Sequence, residues 1–276
     1  MAAKDEMTQI ANILSIAGSD SSGGAGIQAD IKAISANGGY AMTAITALTA
    51  QNTRGVHAVQ EVTPDMVRAQ ISAVRDDCRV DAVKIGMLGS AQIVAAVLQG
   101  LRGMGAPIVL DPVMVAKGGD RLLHHAAVRS LRDDLLPRAT VITPNLPEAA
   151  DLLGLPEAVS RDQMVAQARA LLAMGPGAVL LKGGHLGGQD SPDLLLDGAG
   201  EHWILAPRIA TANTHGTGCT LSSALATWLG RGLPLSQAVA RAKDYISDAI
   251  AGADQLTVGA CQGPVHHFHR LWPVPA

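Results

Sequence analysis

A single α/β domain built on a mainly parallel sheet is what this sequence predicts, and three observations predict it. Short apolar runs alternate with helix-like windows along the whole chain, the turns behind the runs are rich in glycine, and no linker, charge run or internal repeat divides the 276 residues. Alternation of this kind is the pattern of βα units. The composition agrees. Hydrophobic residues make up 48% and charged residues 16%, which excludes disorder, and 2% aromatics leave Ala, Val, Ile and Leu to fill the core.

The elements follow in order. Residues 13–17 form the first run, read as a buried strand and not a secretion signal, because Lys4, Asp5 and Glu6 precede it and Asn12 interrupts the apolar stretch from Ile10. The first ~10 residues are expected to be flexible, as chain ends usually are. Ile27, Ile31 and Ile34 then share one helical face. A strand at 44–48 precedes a helix opened by Thr63 as N-cap and Pro64 at its first position, with Val67, Ile71 and Val74 on its inner side. Strands are expected at 82–85, 108–110, 140–143 and 178–181. Ser160-x-x-Gln163 reads as a capping box ahead of Met164, Val165, Ala168, Leu171 and Leu172. Two helices close the chain near 218–229 and 235–250, the second striped by Val239, Ala242, Ile246 and Ile250.

Several functional classes drop out. The formal net charge is −3, with no basic block and no interleaving of Arg and aromatics, so nucleic acid is not an expected partner. Cys78, Cys219 and Cys261 are too scattered for a disulfide framework or a zinc site. No apolar run approaches the ~18–20 residues of a membrane helix, and a cytoplasmic location is expected.

Parallel sheets bind ligands at the carboxyl ends of their strands, so the motifs behind the runs matter most. The first is Gly18-Ser19-Asp20-Ser21-Ser22-Gly23-Gly24-Ala25-Gly26-Ile27-Gln28-Ala29-Asp30. Its Gly24-x-Gly26-x-x-Ala29 satisfies the dinucleotide fingerprint, yet no Asp or Glu stands between Asp30 and Glu61 for a ribose. A turn that brings backbone against a small ligand fits better, with a plain tight turn as the bland alternative. In Asn213-Thr214-His215-Gly216-Thr217-Gly218-Cys219-Thr220, glycines let successive N–H groups converge at a helix start, an anion hole suited to phosphate. Thr143-Pro144-Asn145-Leu146-Pro147-Glu148 allows two readings: a capped helix closed by Gly154, or an amide and a carboxylate ordering Mg²⁺ beside phosphates. Asp111 and Lys182 also end runs, as a second magnesium-side carboxylate and a point charge for a moving phosphoryl group. His266-His267-x-His269 matches no common zinc spacing and reads as packing plus surface. His215, Met87 and the pair His124-His125 carry no signal individually.

Together these motifs resemble the hydroxymethylpyrimidine/phosphomethylpyrimidine kinases of thiamine biosynthesis, in the ribokinase-like superfamily. The resemblance rests on the segments above with Ala50-Gln51-Asn52-Thr53-Arg54-Gly55, Lys84-Ile85-Gly86-Met87-Leu88, Asp111-Pro112-Val113-Met114, Leu181-Lys182-Gly183-Gly184-His185 and Gly263-Pro264-Val265-His266-His267-Phe268-His269, and runs from about Ile13 to Trp272. It implies a three-layer α/β fold with small lid elements, commonly a homodimer, and a kinase using ATP and Mg²⁺. By position it implies a pyrimidine pocket lined by Gly18, Asp30, Gln51, Met87 and Val113. It implies Gly216, Thr217, Gly218 and Cys219 as the anion hole, Asn145 and Glu148 on the magnesium and phosphate side, and Lys182 on phosphate. Cys219 stands where sugar kinases of the superfamily carry an Asp base, and a helix N-terminus lowers a thiol pKa, which would allow a base role. The rival readings are a vitamin B6 (pyridoxal) kinase, a hydrolase using Cys219 with His215, and a nucleotide sensor without catalysis.

Overall fold

The alternation seen in the sequence becomes a nine-stranded sheet with helices on both faces, in a computed structural model that describes residues 9–114 and 125–272. The expected flexible start, with Lys4, Asp5 and Glu6, lies outside the described residues, as do His124 and the His125 side chain. Along the chain run β1 (Asn12–Asp20), α1 (Gly26–Ala36), β2 (Tyr40–Asn52), β3 (Gly55–Glu61), α2 (Pro64–Asp77), β4 (Ala82–Ile85), α3 (Ala91–Gly100) and β5 (Ile108–Leu110). There follow α4 (His125–Ser130), β6 (Val141–Ile142), α5 (Leu146–Leu153), α6 (Arg161–Leu172), β7 (Val179–Lys182), β8 (Asp193–Asp197), β9 (Gly200–Ile204), α7 (Thr217–Gly230) and α8 (Leu235–Ala251). The sheet order is β3-β2-β1-β4-β5-β6-β7-β8-β9. The strands from β2 to β7 are parallel, and β3, β8 and β9 add antiparallel edges.

Period two along the strands divides the core in two. Leu14, Ile16, Val83, Ile85, Leu110, Ile142 and Leu181 face α2, α3, α5 and α6, while Ile13, Ala82, Val109, Val141 and Leu180 face α1, α7 and α8. Strands buried on both faces read as unbroken apolar runs, which is why these were visible in the sequence. The antiparallel edge was not. β3 is exposed over most of its length and shows no apolar side, β9 is short and nowhere fully buried, and β8 is a buried Leu run bounded by Asp193 and Asp197 that the sequence reading did not single out.

Local expectations fare unevenly. Thr63 accepts from the Met66 N–H with Pro64 behind it, as expected. In α1 the buried face runs through Ala29, Asp30 and Ala33 against α7, so Ile27 and Ile34 are buried but Ile31 is 40% exposed. At α6, Ser160 accepts from Gln163 N–H, but the Gln163 amide turns back to Val159 N–H, so the reciprocal half of the box is missing. The box that closes on both sides is at α5. Asn145 accepts from Glu148 N–H and Glu148 from Asn145 N–H, each at 2.8 Å, with Gly154 left-handed behind.

Candidate active site

A cavity of about 550 Å³ opens at the carboxyl ends of the parallel strands. Four residues implied for the pyrimidine, Gly18, Gln51, Met87 and Val113, line it together with Gly216 to Cys219. Asp111, Asn145, Glu148 and Lys182 line it as well, with Lys182 and Asp111 beside Gly218. A Cβ on Gly18 would come within 3.1 Å of Met87 Sδ, so glycine there keeps the apolar slot open.

The anion loop is made by Gly216, the N-cap of α7, at φ 79° with no side-chain cap. Thr220 N–H bonds to Gly216 O, and Thr217 N–H reaches Thr214 O only at 3.4 Å. Among the described residues the N–H groups of Gly218 and Cys219 have no carbonyl acceptor, as a helix start leaves them, and they face the cavity. Of the loop's two glycines, the backbone freedom is used at Gly216. Gly218 is helical and supplies clearance, since a Cβ there would lie 3.1 Å from Lys182 Nζ and 3.3 Å from Asp111 Oδ2.

Lys182 is held at the end of β7 by a bridge to Asn145, and its Nζ lies 3.0 Å from Asp111 Oδ1 and 3.9 Å from Glu148 Oε2. Thr143 donates to the same Asp111 oxygen, which leaves Oδ2 toward Gly218. Burial works against the ammonium, but Asp111 and Glu148 outweigh it and keep Lys182 charged above its ordinary range. Burial lifts the Glu148 carboxyl to about 7, Lys182 opposing and Asp111 reinforcing. An acid with a raised native pKa is stabilised by its proton, and that stability is lost as pH rises from the unfolded pKa through the native one. Glu148 should therefore make the ligand-free protein less stable between about pH 4.5 and 7. Urea unfolding at pH 5 and pH 8 should show a smaller drop in Glu148→Gln than in the parent; equal drops would mean the carboxyl is ionised throughout.

Cys219 corrects an expectation. Burial pushes the thiol up to about 11, with Lys84 partly opposing and Asp30 and Asp111 reinforcing. Its Sγ takes a hydrogen bond from the Gly26 N–H, but this and the helix start are too weak to offset burial. The thiol is therefore protonated at neutral pH and no ready base. His215 is no partner either, because its Nε2 engages Asp20 Oδ2 at 2.8 Å. Cys219→Ala, which keeps the backbone N–H, should lower kcat less than about 100-fold, below the usual worth of a general base. A larger loss, or a trapped thiol adduct by mass spectrometry, would restore a chemical role for the sulfur.

Asp30 is the second correction. It is fully buried beneath the cavity wall and does not line it. Both of its oxygens bind Lys84 Nζ at 2.8 and 2.9 Å, and Ser15 and Ser223 donate to it. Three residues that sequence reading passed over matter here. Asp20 and His215 line the cavity, and Lys84 is the largest fully buried side chain. A lysine inside an all-apolar parallel strand was the available signal, because such a charge requires a buried partner. His267 meets Thr220 Oγ1 of α7 at 3.0 Å, while His266 N–H bonds to Ala249 O of α8 and its ring packs on Trp272, so the terminal histidines pin the tail to both helices. Among the described residues no group of three or more His, Cys, Asp or Glu is arranged to hold a metal, and no helix is long and apolar enough to cross a membrane.

A doubly covered parallel sheet, an open helix start and a Lys–carboxylate cluster around one small cavity define a small-molecule kinase of the ribokinase-like class. The chain belongs to the phosphomethylpyrimidine kinase family, whose sequence profile matches residues 20–266. It is 55% identical to the hydroxymethylpyrimidine/phosphomethylpyrimidine kinase of Escherichia coli over 95% of this chain and 98% of that protein. The enzyme of the same description from Rhizobium meliloti is 54% identical over 96% and 99%. Among solved structures, Bacillus subtilis pyridoxal kinase with ADP superposes with TM-score 0.88 at 37% identity, covering 95% of this chain and all of that one. Clostridium difficile phosphomethylpyrimidine kinase gives 0.76 at 42% identity, covering 87% and 99%.

Proposed function

We propose that this chain transfers the γ-phosphoryl group of ATP to the hydroxyl of 4-amino-5-hydroxymethyl-2-methylpyrimidine and then to the resulting monophosphate, toward thiamine diphosphate. The observation that carries this reading is one cavity lined both by a carboxamide, Gln51, with the apolar Met87 and Val113, and by an open helix start beside Lys182. Gln51 offers a donor and an acceptor side by side, the complement of an aminopyrimidine edge. Met87 and Val113 give the ring apolar surfaces. The N–H groups of Gly218 and Cys219 receive the charge that spreads over the phosphoryl oxygens, and Lys182 neutralises it from the side. Asp111 keeps Lys182 charged and aimed. Loose phosphoryl transfer asks little of a base, which suits a protonated Cys219.

Mg²⁺ usually binds one or two carboxylates together with substrate phosphates, and Glu148 with the open Asp111 Oδ2 fits that pattern. The cation would offset phosphate charge there, and Glu148 would give up its proton in its presence. We take the enzyme to act in the cytoplasm, where ATP is available, and as a homodimer joined through the β2–β3 ribbon. Leu48, paired with Gln60, and Val59, paired with Thr49, put apolar side chains on opposite faces of that ribbon, 50% and 47% exposed, with Tyr40 at 62% further along β2. Val59→Asp should convert a dimer to a monomer in sedimentation; a parent that sediments as a monomer refutes this.

The decisive measurement is ADP release with hydroxymethylpyrimidine, with its monophosphate and with pyridoxal. Turnover on both pyrimidines well above pyridoxal is expected. The pyridoxal kinase likeness favours the opposite preference, and activity on pyridoxal alone would establish that reading instead.

A further inference from the structure

His215 is 8% exposed, sits between the two glycine loops and precedes the anion loop by one residue. A Cβ on Gly24 would collide with its imidazole, so the ring is clamped by backbone. Its Nε2 meets Asp20 Oδ2, which also accepts from Gly24 and Ala25 N–H, while Oδ1 accepts from Ser22 N–H and Oγ. Burial works against the Asp20 charge, but the hydrogen bonds from His215 and Ser22 outweigh it and hold the carboxyl at about 2. An ionised carboxylate only accepts, so the hydrogen is on His215 Nε2.

That nitrogen lies 3.5 Å from one end of the Gln51 amide. The other end lies 3.2 Å from Thr49 Oγ1, whose proton goes to Ser19 O at 2.8 Å. The two ends of a carboxamide have the same shape, so their partners decide the orientation. The one hydrogen on His215 Nε2 is spent on Asp20, so toward Gln51 that nitrogen offers no lone pair and only the positive flank of its N–H, which favours the amide oxygen there over a second NH₂. A hydroxyl with its proton already committed offers a lone pair, and requires the NH₂ on the Thr49 side. Thr49 selects Nε2 on its side by hydrogen bonding and His215 favours Oε1 on its side electrostatically, the amide turned over from the arrangement in which two nitrogens face each other.

We propose that His215 and Thr49 are positioning residues that fix the polarity of the Gln51 amide and so decide which way round the pyrimidine enters. The inference rests on the substrate reading above. Gln51 then presents its free N–H and oxygen lone pair along one edge, donor near Thr49 and acceptor near His215. On the substrate, ring nitrogen N3, the 4-amino group and the 5-hydroxymethyl carbon follow one another around the ring. Pairing N3 with the donor and the 4-amino group with the acceptor sends the hydroxymethyl group toward His215, and hence toward Gly216 to Cys219. A reversed amide would pair the ring the other way and aim the hydroxyl at β2, away from the phosphoryl group.

The test compares kcat/KM for hydroxymethylpyrimidine and for its 4-deamino analogue, 5-hydroxymethyl-2-methylpyrimidine. His215→Leu should lower the first by about tenfold to a hundredfold, the usual effect of losing a buried polar partner, and the second by much less. Preference for the amino ring then collapses. His215→Gln, which keeps a donor, should restore part of it. Thr49→Val should act like His215→Leu and Thr49→Ser should not, an arm that stands if the histidine variant does not fold. Adding His215→Leu to Gln51→Leu should cost nothing further with the amino substrate. Equal losses on both rings, or a full extra loss in the double variant, overturn the positioning role. A parent without turnover on the amino substrate rejects the kinase reading itself, a distinct result.

Discussion

Gly216→Ala should be close to inactive while the protein stays folded. The residue sits at φ 79°, where a side chain is strained, and the added carbon would overlap the carbonyl of Gly24. Relief requires the loop to withdraw, which carries the N–H groups of Gly218 and Cys219 away from the phosphoryl position. Losing one such donor usually costs about 10²–10³ in kcat, and here both move. Steady-state kinetics should show the loss in kcat, with a smaller rise in KM because His215, which contacts Gln51, precedes Gly216 directly. A variant within tenfold of the parent would mean that the helix start does not hold the transferring group.

The largest effect on stability should come from Asp30→Ala. It leaves the Lys84 ammonium buried without its carboxylate and removes the acceptor of the Ser15 and Ser223 hydroxyls. Breaking a buried pair from one side costs about 3–5 kcal/mol, which at this chain length lowers Tm by on the order of 10 °C. Burial disfavours the Lys84 charge, but Asp30 more than compensates and holds its pKa above the ordinary lysine range. The sign for a raised lysine places this stability in full below about pH 10, lost only in stronger alkali. Thermal unfolding at pH 7 checks it; an unchanged midpoint would mean that Lys84 finds another partner.

The physical reasons for what was legible differ from residue to residue. Ile13, Val83, Leu110 and Leu181 announced the central strands because burial on both faces leaves few places there for polar residues. Gly216 and Gly218 stood out because a Gly-x-Gly at a helix start is more than capping needs. Asn145 and Glu148 belong to both readings at once: the capping box that orients the carboxylate is also what brings it beside Lys182. What stayed hidden depends on long-range pairing. Asp30 finds Lys84 across 54 positions and Asp20 finds His215 across 195, separations that no local pattern encodes. Cys219 was misjudged because a helix start is local and visible, whereas the burial that overrides it is contributed by the whole fold.

The β2–β3 ribbon leaves a different kind of consequence. On the reading proposed above, selectivity for the ring rests on Gln51 at the ribbon's tip, while the Gly216 loop is jammed backbone to backbone against Gly24. Substitutions at the exposed outer positions of the ribbon, from Leu48 on, lose little buried area and hence little stability. Over evolutionary time such a chain can exchange one vitamin precursor for another by altering a thinly supported margin, and its chemistry is inherited intact.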